Sequence, residues 1–255
     1  MKVIVWHDAN AGRMLPDSKL LIGGGTTMGI KSLTAAYALG YRSIHAFGLD
    51  SSHRFTEHHA YRQPLNDGEP VVDVTVDGRS FQASPWMLGQ VKNFGMYANK
   101  LADLGCTIVI HGDGLLPWVA QRMDNGIEIE NVELELVSNI EDLRVMQNID
   151  AALALDLEEL TEQPAHDRHV AIIAGGPSIN DHVRSIRALA DGGCDIWAIN
   201  GTHDWLVSHG IKPHAMWVVD GRPECAAFVA KPQPACTYYI NSRCDPAVFA
   251  ALGCR

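Results

Sequence analysis

Residues 169–181 read HVAIIAGGPSIND. A run of five apolar residues bounded by glycine and proline is the pattern of a strand buried on both faces, followed by a turn that lets backbone amides approach a ligand and then by a helix. In nucleotide-binding α/β domains such a strand and loop open the fold. Here 168 residues precede them.

The same alternation extends in both directions. Apolar strands are expected at 3–7 (VIVWH), 19–23 (KLLIG), 43–49 (SIHAFGL), 107–111 (TIVIH), 170–175, 195–200 (DIWAIN), 214–220 (HAMWVVD) and 237–241 (TYYIN), with helical stretches between them. Strands alternating with helices predict parallel strands joined by crossovers, hence a Rossmann-like, doubly wound α/β sheet. Residues 71–84, VVDVTVDGRSFQAS, break the pattern: period-two alternation around Asp77-Gly78 predicts an inserted antiparallel hairpin. A helix is expected over about 140–160, capped by Ser138 with Glu141 and presenting Leu143, Met146, Ile149, Leu153 and Leu157 on one face. The polar stretch 161–169 is the best linker candidate.

Bulk composition sets limits. The 255 residues are 47% apolar, enough to bury a substantial core, and one α/β domain over 1–255 is the simpler expectation. A formal charge of -10 argues against nucleic acid or an anionic membrane as partner. Six cysteines without a C-x-x-C pair, and no apolar run long enough to span a bilayer, fit buried thiols and a cytoplasmic location.

Candidate chemistry falls at the carboxyl ends of strands, where open α/β sheets hold ligands. Gly175 and Gly176 remove side chains beside a prospective phosphate, Pro177 fixes the turn, and Ser178 with Asp181 has the form of a helix N-cap that could hold an anion. The alternative is a tight turn with no ligand. A second turn, GGGTTMG at 23–29, repeats the logic with Gly24, Gly25 and Thr26, but has no lysine at the position a P-loop requires. Strand-terminal aspartates recur at Asp50, Asp113 and Asp220; each could bind Mg²⁺ or take a hydroxyl proton, or simply cap its loop. The segment EHHAYRQPLND, with His58, His59 and Tyr61, has the make-up of a ligand-binding loop, without a zinc-binding arrangement.

These stretches together resemble the 6-hydroxymethylpterin diphosphokinase MptE-like family, which also takes in the Maf flagellin-modification proteins. The resemblance rests on AGGPSIND, on DIWAINGTHDWLVSHGIKPHAMWVVDGRP, on TYYINSRCDPAVFAAL, and on IGGGTTMGIKSLTAAYALGYRSIHAFGLDSS, HHAYRQPLND and IVIHGDGLLP. It implies a transferase that moves diphosphate from ATP to a hydroxymethylpterin-type acceptor with Mg²⁺. A Maf-like or sialyltransferase-like enzyme using a CMP-sugar, or a non-catalytic nucleotide-binding module, are the alternatives.

By position, the resemblance assigns Gly175, Gly176, Pro177 and Ser178 to nucleotide phosphate or ribose, with Asn200 at the border of that site. Asp220 would bind Mg²⁺ or orient the acceptor; Asp50, His59, Tyr61, Gly24, Gly25 and Thr26 would close the pocket. Ala174 stands where the family often has glycine, and His214 where an aspartate often follows G-I-K-P. In the family the GPS loop precedes the GGG turn, whereas here the order is reversed. The expectation is a circularly permuted domain, with 1–122 as its later half, 123–168 a joining segment and 169–255 its earlier half. A piece of a tandem array, completing its sheet by swapping with a second copy, is the rival.

Overall fold

Every strand expected from the apolar runs takes its place in one eight-stranded sheet, in which each pairing is parallel. From one edge to the other the strands run Leu21–Ile22, Lys2–Asp8, Thr237–Asn241, Ala215–Val218, Asp195–Ile199, His169–Ile173, Ser43–Phe47 and Thr107–His111. The computed structural model describes residues 1–16, 19–25, 27–65, 67–123 and 140–254. The strands are β1 (Lys2–Asp8), β2 (Leu21–Ile22), β3 (Ser43–Phe47), β6 (Thr107–His111), β7 (His169–Ile173), β8 (Asp195–Ile199), β9 (Ala215–Val218) and β10 (Thr237–Asn241). The expected strand at 19–23 shrinks to two residues at the sheet edge.

From β7 the chain steps through β8, β9 and β10 in one direction, and β1 continues that direction, with Lys2 opposite Thr237 and Trp6 opposite Asn241 in the same chain. On the other side of β7 lie β3 and β6. The direction of winding therefore reverses between β7 and β3. A crevice opens above such a switch point, outside the carboxyl ends of the strands.

The separate hairpin pairs β4 (Val72–Val76) with β5 (Arg79–Ala83) around Asp77 and Gly78, whose φ angles are 47° and 74°. Two positive φ values define the type I′ turn that matches the twist of paired strands. A side chain at Gly78 meets no steric obstacle, so substitution there costs only backbone strain. Gly78→Ala is expected to lower stability by about 1–2 kcal/mol in urea titration, with the strands' register kept.

Both sheet faces are covered. On one, Trp6, Ile44, Ala46, Ile172, Trp197, Ile199 and Trp217 pack under Ile30 and Leu33 of α1 (Met28–Ala38), Leu88 and Val91 of α2 (Pro85–Asp103), and Leu115 and Leu116 of α3 (Leu115–Ala120). On the other, Val5, Phe47, Ile173, Ala198, Val218 and Ile240 pack under Ile186 of α5 (Val183–Asp191), Leu206 of α6 (Thr202–Ser208) and Phe249 of α7 (Pro246–Ala251). No helix of the described residues is long and apolar enough to cross a membrane.

The remaining helix departs from expectation. It is shorter, α4 (Asp142–Leu153), with Glu141 at its N-cap and no side-chain cap; Ser138 of the expected capping box lies outside the described residues. Its buried face is Val145, Asn148, Ile149 and Ala152, whereas Leu143 and Met146 are exposed. The face is rotated because Val145 and Ile149 dock on Ala11 and Leu15, and because Asn148 donates to the carbonyls of Gly221 and Arg243 (3.3 and 2.8 Å). Residues 158–160 then run beside β1, where Val5 donates to Glu158 and accepts from Leu160 (both 2.8 Å). The linker candidate that follows is docked: Gln163 and His166 donate to the carbonyls of Ala38 and Gly40.

Candidate functional site

The switch-point crevice is closed at its base by one side chain. Asp50 follows β3 and is 4% exposed. Its carboxylate accepts the backbone N–H of Ser178 (2.8 Å) and the Ser178 hydroxyl (2.6 Å), from the loop that follows β7. Neighbouring backbone makes the approach possible. Gly176 donates to the carbonyl of Gly48 (2.9 Å), and a Cβ at Gly176, Gly112 or Gly114 would strike Asp50. These glycines are required because carboxylate and backbone share one small volume.

This pairing corrects the expectation for the GPS loop. Residues 177–181 form a short 3-10 turn whose N-cap, Gly176, makes no side-chain cap bond, and α5 starts only at Val183. Neither Ser178 nor Asp181 caps it. The amide of Ser178, expected to meet a phosphate, already meets an anion, and that anion is Asp50.

Burial is the largest influence on Asp50 and pushes its pKa above the ordinary carboxylate range; the two Ser178 bonds oppose the shift. A carboxylate held above its usual pKa at a fixed position is a better proton acceptor than an ordinary one. It opens into a cavity of ≈ 360 Å³ whose walls include Arg54, Asp73, Arg79, Phe81 and Asp113. Arg54 bridges Asp113 (2.9 Å) and Asp181 (2.6 Å), while Arg79 donates to the Asp113 carbonyl (2.8 Å) and lies over Phe81. Arg54, Asp73 and Arg79 were not among the residues singled out from sequence; the hairpin signal was legible, but not that the hairpin walls this cavity. A second cavity of ≈ 650 Å³ shares His53, Phe55, Asp73 and Gln82 with the first and adds Trp86 and Met87.

The HHAY loop does reach the GPS loop. Gly175 leaves room for His59 and Tyr61, Gly201 leaves room for Tyr61, and Ala60 donates to the Gly175 carbonyl (2.9 Å). Burial and the neighbouring His58 pull His59 down to about 4, so its imidazole is neutral at pH 7; its buried Nδ1 has no partner among the described residues. Burial pushes the Tyr61 phenol up to about 12. Asn200, at the end of β8, adopts φ 51° and buries an Oδ1 with no donor among the described residues.

The GGG turn connects more indirectly. Gly24 has φ 129° and its backbone abuts Lys31, Gly25 abuts Asn93, and Thr26 lies outside the described residues. Gln90 links the turn to the aspartate loop, donating to Thr27 Oγ1 (3.1 Å) and accepting from Ser51 (2.7 Å).

Asp220 stands apart. It follows β9, two strands from β7, and both its oxygens receive the Arg222 guanidinium, at 3.0 Å and 3.1 Å from Nε. Magnesium needs oxygens free to complete an octahedron, and no group of three or more His, Cys, Asp or Glu among the described residues is placed to hold a metal ion. In this arrangement Arg222 holds both oxygens that Asp220 would offer a magnesium ion. His214 lies at the amino end of β9, where Nδ1 accepts the Ile196 N–H (3.0 Å), on the opposite edge of the sheet from the crevice.

A family model described as 6-hydroxymethylpterin diphosphokinase MptE-like matches residues 143–251. The match takes in most of α4 and the stretch to 168 as well as β7 to β10. Comparison with curated proteins and with solved structures returned no match.

Proposed function

On the premise that residues 143–251 belong to the MptE-like family, we propose that the protein is a nucleotide-dependent transferase that moves a diphosphoryl group from ATP to the hydroxymethyl group of a pterin-type acceptor. The observation that carries this reading is Asp50: a buried carboxylate, fixed by two Ser178 donors at the switch point and facing a cavity large enough for an acceptor.

In such a transfer the acceptor hydroxyl oxygen bonds to the β-phosphorus of ATP. The bond from that phosphorus to the oxygen bridging the α-phosphate breaks, AMP leaves, and Asp50 takes the hydroxyl proton. Three carboxylates (Asp50, Asp73, Asp113) face two guanidinium groups (Arg54, Arg79) in the cavity. That balance favours a neutral, donor-rich ring there over the polyphosphate. Phe55, Trp86 and Met87 of the adjoining cavity offer it apolar surface. The nucleoside then lies on the other side of the GPS loop, toward Tyr61 and the Oδ1 of Asn200, which has no donor among the described residues. The same premise reads the chain as a permuted family domain, supported by β1 lying against β10 within one chain.

The test is a thermal-shift series with millimolar ATP, CMP and CMP-sugars, followed by detection of AMP when a hydroxymethylpterin is supplied. ATP is expected to raise the melting temperature, because a ligand held only by the native state stabilises it, and AMP is expected to accumulate only with the acceptor. A shift with CMP alone replaces diphosphoryl transfer by glycosyl transfer. No shift with any nucleotide overturns the reading.

A further inference from the structure

A buried cluster of charge lies at the carboxyl ends of β1 and β10, on the side of the GPS crevice away from β3. Asp8 is 0% and Lys31 1% exposed, and their side chains lie 3.6 Å apart. Arg243 Nη1 reaches the other Asp8 oxygen at 3.1 Å, and Lys31 Nζ also donates to the Gly25 carbonyl of the GGG turn. One carboxylate thus faces two cations, in a protein whose formal charge is -10. Asp8 and Lys31 are fully buried and the Arg243 side chain is 21% exposed; a charge taken out of water without its counter-ion is costly.

The hydrogen-bonding groups there have the same polarity. Asn241 is 0% exposed and sits opposite Trp6, on the sheet face that carries Asp8 and Lys31. Its Oδ1 accepts the Arg243 N–H at 2.9 Å, which fixes the orientation of the amide and turns Nδ2 away from that bond. Nδ2 of Asn241 and Nε of Arg243 are buried and have no acceptor among the described residues. Buried donors are almost always satisfied. Two buried donors without acceptors, two residues apart in the chain and beside one excess positive charge, are groups that an oxyanion would satisfy.

We propose that Asn241 and Arg243, backed by Lys31 across Asp8, form an anion-binding subsite that receives a phosphate or carboxylate group of a substrate or effector. The GGG turn belongs to this subsite through the carbonyl that holds Lys31. Burial, the largest influence, and the nearby Arg243 both lower the Lys31 pKa, and an added anion would oppose them. The assignment stands apart from the transfer reaction, since its readout is stability and not turnover.

The test compares melting temperatures of the wild-type chain, Asn241→Asp and Arg243→Lys in buffer free of oxyanions, then with millimolar inorganic pyrophosphate or with malonate, each matched by sodium chloride. Pyrophosphate is expected to raise the wild-type value by roughly 5 °C, and a response to malonate in its place assigns the subsite to carboxylate. Asn241→Asp replaces one orphan donor by an acceptor and adds a negative charge to the cluster. It is expected to melt at or above the wild-type temperature without anion and to lose the anion response. Arg243→Lys keeps the charge on Asp8, removes Nε, and is expected to lose most of the response. No wild-type response to either anion, or an undiminished response in both variants, overturns the assignment.

Discussion

Asp50→Asn is expected to lower the rate of transfer by about 10²–10⁴-fold, the range for loss of a positioned general base, while nucleotide-induced thermal stabilisation persists. The substitution keeps the shape of the side chain, and the Ser178 hydroxyl can turn to accept from the new amide, so the β3 and β7 loops stay joined. It also removes a buried charge whose largest energetic influence is desolvation. Stability is therefore expected to hold or rise.

The pH profile separates a base from a latch. Because burial raises the Asp50 pKa, the acid limb of wild-type activity is expected above the ordinary carboxylate range. The residual activity of Asp50→Asn should lack that limb. The stability sign is the opposite of a salt-bridged aspartate: the native carboxyl holds its proton to higher pH than the unfolded one, so ionisation weakens the fold as pH rises through the native pKa. A variant that retained activity within tenfold, with the acid limb intact, would remove Asp50 from the chemistry.

Asp8→Ala is expected to cost about 3–5 kcal/mol in urea denaturation, the usual penalty for breaking a buried pair and stranding its partner. Here two cations, Lys31 and Arg243, lose their only described carboxylate partner at once. Lys2→Ala supplies the contrast. Its bond to Glu158 is 2.7 Å, shorter than either contact at Asp8, yet both side chains are more than half exposed. An exposed pair contributes about 0–1 kcal/mol, so the two substitutions should separate although each removes one ion-pair partner. A loss below 1 kcal/mol for Asp8→Ala would mean that the cluster is hydrated and that its excess charge needs no ligand.

The sheet was legible because its central strands are buried on both faces. VAIIA carries no polar residue and DIWAI only the aspartate that opens it, so little confuses the period, and Asp77-Gly78 announces its turn by chemistry alone. The phase of α4 was not legible. Leu143 and Met146 are as apolar as Val145 and Ile149, and the choice between the stripes was made by Asn148, a polar residue buried for the carbonyls it serves. In the site, Asp50, Gly175, Gly176 and Tyr61 could be picked out as unusual residues at strand ends. That Ser178 would face a carboxylate 128 positions away could not, since local pattern offers a serine before a helix only the role of cap. Lys31 escaped for a related reason: one turn into an apolar helix it fits no phosphate motif, and its partners Asp8 and Arg243 come from opposite ends of the sequence.

The pairing of β1 with β10 also sets a timetable. β1 is synthesised about 230 residues before its central neighbour β10, an interval of roughly 10–50 s at ordinary rates of synthesis. Throughout that interval KVIVWHD has no partner on its β10 side, and β7, β8 and β9 can pair with one another only toward its end. The nascent chain therefore carries an unpaired strand edge, the kind of surface that seeks wrong partners, until β10 is made.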